Sequence, residues 1–109
     1  MNAKDAPCQI GFNAEQTRCF IKEAEDADQE LNVVYSNVLK VLPPSDRGNL
    51  QLAQRLWIRF RYANCMAERG LCEGGSAALM VHAACLAADT RQRTELNLMY
   101  GWRVQKFSR

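Results

Sequence analysis

The sequence predicts an all-α fold, an antiparallel up-down helical bundle of three main helices with short extra segments. Three observations carry that prediction. Apolar residues recur at alternating steps of four and three along three long segments, the spacing that lines one face of a helix. Two breaks separate the segments, Pro43-Pro44 and the glycines Gly70, Gly74 and Gly75. No run alternates apolar and polar residues long enough to make a strand, and there is no internal repeat or low-complexity tract. Loops of a few residues cannot carry a chain across a bundle, so consecutive helices must run up and down.

The first helix is expected from Asn13, its N-cap, to Val41. Phe20, Ala24, Ala27, Leu31, Val34, Val38 and Val41 form its apolar stripe. Its outer face is acidic, because Glu15, Glu23, Glu25, Asp26, Asp28 and Glu30 outnumber Arg18 and Lys22. Pro43-Pro44 ends it, since proline lacks an N–H and restricts the residue before it. The second helix is expected to begin at Ser45 or Asp46 as N-cap and to reach Arg69. Leu50, Ala53, Trp57 or Leu56, Phe60 and Ala63 make its stripe, and Gly48 weakens its first turn. Ser76 caps the third helix, which carries Leu79, Ala83, Leu86, Thr90, Arg93, Leu96 and Tyr100. Gly101 stops it. The chain then divides into an N-terminal extension (1–12), a helical domain (8–100, overlapping that extension) and a basic tail (101–109).

With 109 residues the chain is one domain, large enough for a modest core. Its 48% hydrophobic and 24% charged residues are globular composition, and no stretch has the apolar length of a membrane span. The formal net charge of +2 is too small to imply a nucleic-acid partner. Five cysteines in so short a chain are the compositional outlier.

Polar residues share the helical spacing. Asp28-x-x-Leu31-Asn32-x-x-Tyr35 lies on the first helix and Gln54-x-x-Trp57-x-x-x-Arg61-x-x-x-Cys65 on the second. Cys85 and Thr90-x-x-Arg93-x-x-Leu96 lie on the third. A plain bundle needs only apolar residues there. Helices packed through apolar stripes can slide or rotate, and a few paired polar groups fix their register. Arg61 or Arg93 is expected to take a carboxylate such as Asp28, with Asn32 and Gln54 satisfying the leftover donors. Tyr35 and Trp57 add bulk with a polar handle. The same network, opened to solvent at one end, would instead be a recognition patch. Sequence alone leaves both readings open.

The cysteines are open to two readings as well. Cys65 and Cys85 sit symmetrically about Gly75, so a hairpin turning there brings them level, and a disulfide forms if their Cα atoms stand about 5–6 Å apart. Cys8 can fold back over Cys19 in the second turn of the first helix. Alternatively, Cys65-x6-Cys72-x9-His82-x2-Cys85 supplies four zinc ligands, although its six-residue gap is loose for such a site.

These helix-spaced sets, with two cysteines twenty apart around a turn, resemble the LprI-like lysozyme-inhibitor family of small exported helical domains. The resemblance covers residues 8 to 96. It implies Cys8–Cys19 and Cys65–Cys85 disulfides, which leaves Cys72 as the odd thiol, and it implies a binding protein with no chemistry of its own. Residues 1–7 are polar and lack the apolar core of a leader, which by itself argues for the cytoplasm. The cysteines and the resemblance favour instead a periplasmic or secreted domain whose leader was removed, with Met1 added as a start.

The residues give no enzyme. His82 is a lone histidine among Ala, Leu, Met and Val, and the carboxylates from Glu23 to Glu30 crowd one solvated face. There is no phosphate loop and no Ser-His-Asp arrangement, so no cofactor or metal is expected. The expected partner is a protein, lysozyme or another cell-wall hydrolase. The alternative is a periplasmic interaction or immunity-type module that binds another toxin or envelope protein. A third reading, a cytosolic zinc or nucleic-acid module, would use the tail cations Arg103, Lys106 and Arg109. For an inhibitor, the protrusions expected to enter a cleft are residues 43–49 and the Gly70–Ser76 loop with Gly74, Gly75 and Ser76. Arg47 and Arg69 stand near these tips, and Glu23 and Glu30 would steer a basic partner.

Overall fold

Alternate four- and three-residue spacing and an absence of internal proline let the first helix run unbroken. A computed structural model describes residues 14–72, 75 and 77–99. In it α1 spans Ala14–Val41, α2 Pro44–Gly70 and α3 Ala78–Gln92, with a π-helical continuation over Arg93–Met99. The described residues contain no strand. The molecule is elongated, 49 Å along its principal axis, close to the ~42 Å of a helix the length of α1.

The α1 stripe faces inward. Phe20, Ala27, Leu31 and Val38 are buried, Ala24 and Val34 are half-buried, and Val41 emerges at the helix end. Phe20 packs with Met80 and Ala83 of α3, and Cys19, Ile21, Val81 and Ala84 close around them. α3 is the element against which both long helices pack. Its buried residues are mostly small, Ala78, Ala83, Cys85 and Ala87, which lets neighbouring backbones come close. Leu79, expected on its stripe, is exposed instead. At Arg93 the helix widens to π-helical turns, and the Thr94 hydroxyl donates to the Thr90 carbonyl across the junction (3.0 Å).

α2 departs from expectation. Its buried residues are Gln54 and Cys65, and Leu50 and Trp57 are half-buried. Ala53, Leu56, Phe60 and Ala63, expected inside, are exposed. The cause is register: α2 carries apolar residues around most of its circumference, and the side holding Gln54, Trp57, Arg61 and Cys65 is the one turned to α3. Its start also differs. Pro43 is the N-cap, without a side-chain capping bond, and Ser45 and Asp46 fall in the first turn. Residues 43–49 are therefore helix rather than loop, apart from Pro43. The Arg47 guanidinium donates from Nε to the Leu42 carbonyl (2.8 Å) and ties the hinge between α1 and α2. Asn13, Ser76, Tyr100, Gly101 and the basic tail lie outside the described residues.

Candidate functional site

The inward face of α2 meets α3 through a polar seam. Gln54, Trp57, Arg61 and Cys65 follow at helical spacing on α2, and Cys85, Asp89, Thr90 and Arg93 do so on α3. Arg61 Nη1 donates to Thr90 Oγ1 at 3.0 Å and reaches Asp28 Oδ1 of α1 at 3.4 Å. Its guanidinium carbon lies 4.9 Å from the centre of the Trp57 ring, and that of Arg93 lies 5.8 Å from the same ring. Two cations thus share one indole, a favourable contact for each where water is excluded. Arg93 Nε donates to Gln54 Oε1 at 3.0 Å. Burial pushes the Arg93 guanidinium below its ordinary pKa, and Tyr35 partly opposes that shift. Tyr35 is half-buried and Asn32 exposed. Arg61 Nε and Arg93 Nη2 are buried without a hydrogen-bond partner among the described residues.

The second half of the seam is covalent. Cys65 and Cys85 form a disulfide with Cα atoms 5.5 Å apart. The Asp89 carboxylate sits beside it, held by Asn64 Nδ2 at 2.8 Å. Its Oδ2 lies 3.6 and 3.8 Å from the two sulfurs; these are contacts only, because disulfide sulfur carries no proton. His82 Nδ1 lies 3.4 Å from the Cys65 carbonyl. Cys65, Cys85 and Glu68 bring potential ligand atoms within 4.8 Å of one another, but the two sulfurs are bonded together, which also breaks up the alternative zinc set. Cys72 is a free, half-buried thiol. Cys19 is disulfide-bonded, and its pairing with Cys8 lies outside the described residues.

The seam holds α2 to α3 and displays no general base near a nucleophile. Asn64 and Asp89 were not anticipated, although Asp89 stands four residues after Cys85, one helical turn. The Arg91–Glu23 ion pair between α3 and α1, 2.8 Å long, was also missed. It removes Glu23 from the free acidic face of α1. Asp26 pairs with Lys22 at 3.1 Å, whereas Glu30 is exposed.

At the other candidate positions, Arg47 and Arg69 are exposed near opposite ends of α2. Leu71 and Cys72 N–H groups donate to Glu68 and Arg69 carbonyls, and Gly75 N–H to the Cys72 carbonyl (2.9 Å). A Cβ on Gly75 would stand 3.1 Å from that Cys72 oxygen, so the turn is held tightly and a small residue suits it. Gly74 and Ser76 lie outside the described residues. The structure gathers Asp28, Trp57, Arg61, Thr90, Gln54 and Arg93 into one seam, and leaves Arg47, Arg69, Gly75 and Glu30 dispersed.

A family model described as lysozyme inhibitor LprI matches residues 5–96, and the chain belongs to that family. An uncharacterized protein of Rhizobium meliloti, R02472, is 33% identical over 89 residues, which is 70% of this chain and 64% of the relative. The chain therefore spans less than two thirds of that relative's length. No solved structure matches. The family is described by inhibition rather than catalysis. Among the described residues no helix is long and apolar enough to cross a membrane.

Proposed function

We propose that this protein is an exported inhibitor that binds a cell-wall hydrolase, lysozyme above all, and blocks it by protein–protein contact. The observation that carries this reading is the family match over residues 5–96. The physical frame agrees with it. A disulfide and a polar seam fix the helices against one another, and a prefixed surface loses little conformational entropy on binding. The carboxylates of α1, Glu30 among them, would draw in a hydrolase whose exterior is basic, raising the association rate more than the residence time. The five cysteines suit an oxidising compartment, which supports the reading of a periplasmic or secreted protein.

The test is lysis of a bacterial cell-wall suspension by lysozyme with and without the oxidised protein. A fall in lysis rate that saturates at one protein per enzyme supports the reading. Unchanged lysis across lysozymes of different structural classes would leave the immunity-type module ahead, since a family name does not make every member an inhibitor of one enzyme. The overall charge of +2 favours that second reading, because a binder of basic lysozyme gains from net negative charge.

A further inference from the structure

We infer that the outer face of α2 is the surface that enters the hydrolase cleft, with Arg59 as its central contact. This inference rests on the inhibitor reading above. Leu52, Leu56, Arg59, Ala63 and Met66 follow at steps of four, three, four and three, so they form one straight ridge on the helix. All five are exposed. Phe60 and Tyr62 flank the ridge at 59% and 65% exposure, and Leu56 itself is 54% exposed. Large apolar side chains clustered this way on a monomer mark an interaction surface. The stability of α2 does not require them, since its opposite side is already engaged by the disulfide and the seam.

The charges on this face select the occupant. Arg59 stands on the ridge and Arg55 beside it, both exposed, while Asp46 and Glu68 fall toward the opposite side of the helix, so the partner surface should carry carboxylates. Glycoside hydrolases place a pair of carboxylates at the centre of the cleft, about 5–9.5 Å apart according to mechanism. Around them the walls of a ligand site are largely apolar and aromatic. A helix is about 10–12 Å across, and a groove that admits a polysaccharide strand is open at both ends, so a straight ridge can lie along it. In that pose Arg59 meets the carboxylates while Leu52, Leu56 and Phe60 cover the walls.

A second copy of this chain fits the ridge poorly. Antiparallel pairing centred on the ridge sets Leu52 against Met66 of the other copy and brings the two Arg59 side chains face to face. In-register parallel pairing sets each ridge residue against itself and so also brings the two Arg59 side chains together. A lipid surface fits poorly too, because an inserting helix keeps its arginines at the margins of the apolar face, and Arg59 stands in the middle.

The experiment compares the full oxidised chain with Arg59→Gln and with the double change Leu56→Ser and Phe60→Ser. Each replaces exposed side chains, so the variants should melt like the wild type, which circular dichroism checks. Lysozyme inhibition should weaken about tenfold or more for Arg59→Gln and about a hundredfold for the double change, the scale of central interface contacts. A lysozyme with one cleft carboxylate changed to its amide should bind the wild type more weakly but Arg59→Gln no more weakly. Wild-type inhibition that both variants reproduce would overturn the α2 surface and leave the inhibitor reading standing. A wild type that inhibits no lysozyme would overturn both. Variants that abolish self-association in sedimentation, or binding to anionic phosphatidylglycerol vesicles, while inhibition is unchanged would assign the ridge to a second copy or to lipid and overturn the proposal.

Discussion

α1 and α2 are nearly equal in length, 28 and 27 residues, and opposite in construction. α1 turns apolar residues inward and carboxylates outward, with six acids against three bases. α2 turns Gln54, Trp57, Arg61 and Cys65 inward and carries its large apolar residues outside, with five arginines against two acids. The difference teaches that a hydrophobic stripe does not by itself orient a helix. Burial of Phe20, Ala27, Leu31 and Val38 orients α1. A covalent bond and a shared indole orient α2, and its apolar side stays exposed.

The sharpest way to break this comparison is to truncate one phenylalanine on each helix. Phe20 is 1% exposed, and Phe20→Ala should cost about 3–5 kcal/mol in urea unfolding. Phe60→Ala should stay within about 0.5 kcal/mol. Equal costs would mean that the outer side of α2 is covered in solution, and the contrast would fall.

Next in size is the disulfide. Replacing Cys65 and Cys85 together by serine should cost about 3 kcal/mol on the chain-entropy model. Hydrogen exchange should then show α2 amides losing protection ahead of those in α1 and α3. Overlapping melts with and without reductant would show that α2 does not depend on this link.

The seam offers a smaller effect. Thr90→Val should cost about 1 kcal/mol by stranding the Arg61 donor, and most of that cost should vanish in an Arg61→Met background. Asp28 is half-exposed and 3.4 Å from Arg61, so Asp28→Leu should cost less than about 1 kcal/mol. A double-mutant cycle in which Asp28 couples to Arg61 more strongly than Thr90 does would reverse that order. Smallest of all, Lys22→Gln should change stability by no more than about 0.5 kcal/mol, because its partner Asp26 is an exposed neighbour one turn away. A larger loss in low salt would give the α1 surface a structural role like that of the seam.

How much was legible follows from the same contrast. The α1 stripe was readable from spacing because a single apolar face faces a single core. Pro43-Pro44 and the glycines marked both breaks, and the cysteines about Gly75 marked the α2–α3 hairpin. The α2 stripe was misread because Leu50, Ala53, Leu56, Phe60 and Ala63 do not share one inward face once Cys65 and Arg61 are fixed against α3. The polar residues of the seam were visible as a spaced set. The expected contacts of Arg61 with Asp28 and of a guanidinium with Gln54 are present, whereas the bond from Arg61 to Thr90 was not foreseen. Arg61 was matched in expectation to Asp28, while its shortest hydrogen bond goes to Thr90. Of the two protrusions expected to enter a cleft, residues 43–49 are helix apart from Pro43, and the Gly70–Ser76 loop lies partly outside the described residues.

The sequence alone determined the three helices, their breaks and the capacity of Cys65 and Cys85 to meet, because those depend on local spacing and on proline and glycine backbone limits. Only the tertiary structure decided which side α2 keeps for α3. That choice depends on contacts between residues 20 to 39 positions apart, such as Cys65 with Cys85 and Gln54 with Arg93. Helical periodicity reports the angle between neighbours on one helix and carries no information about which partner stands opposite them.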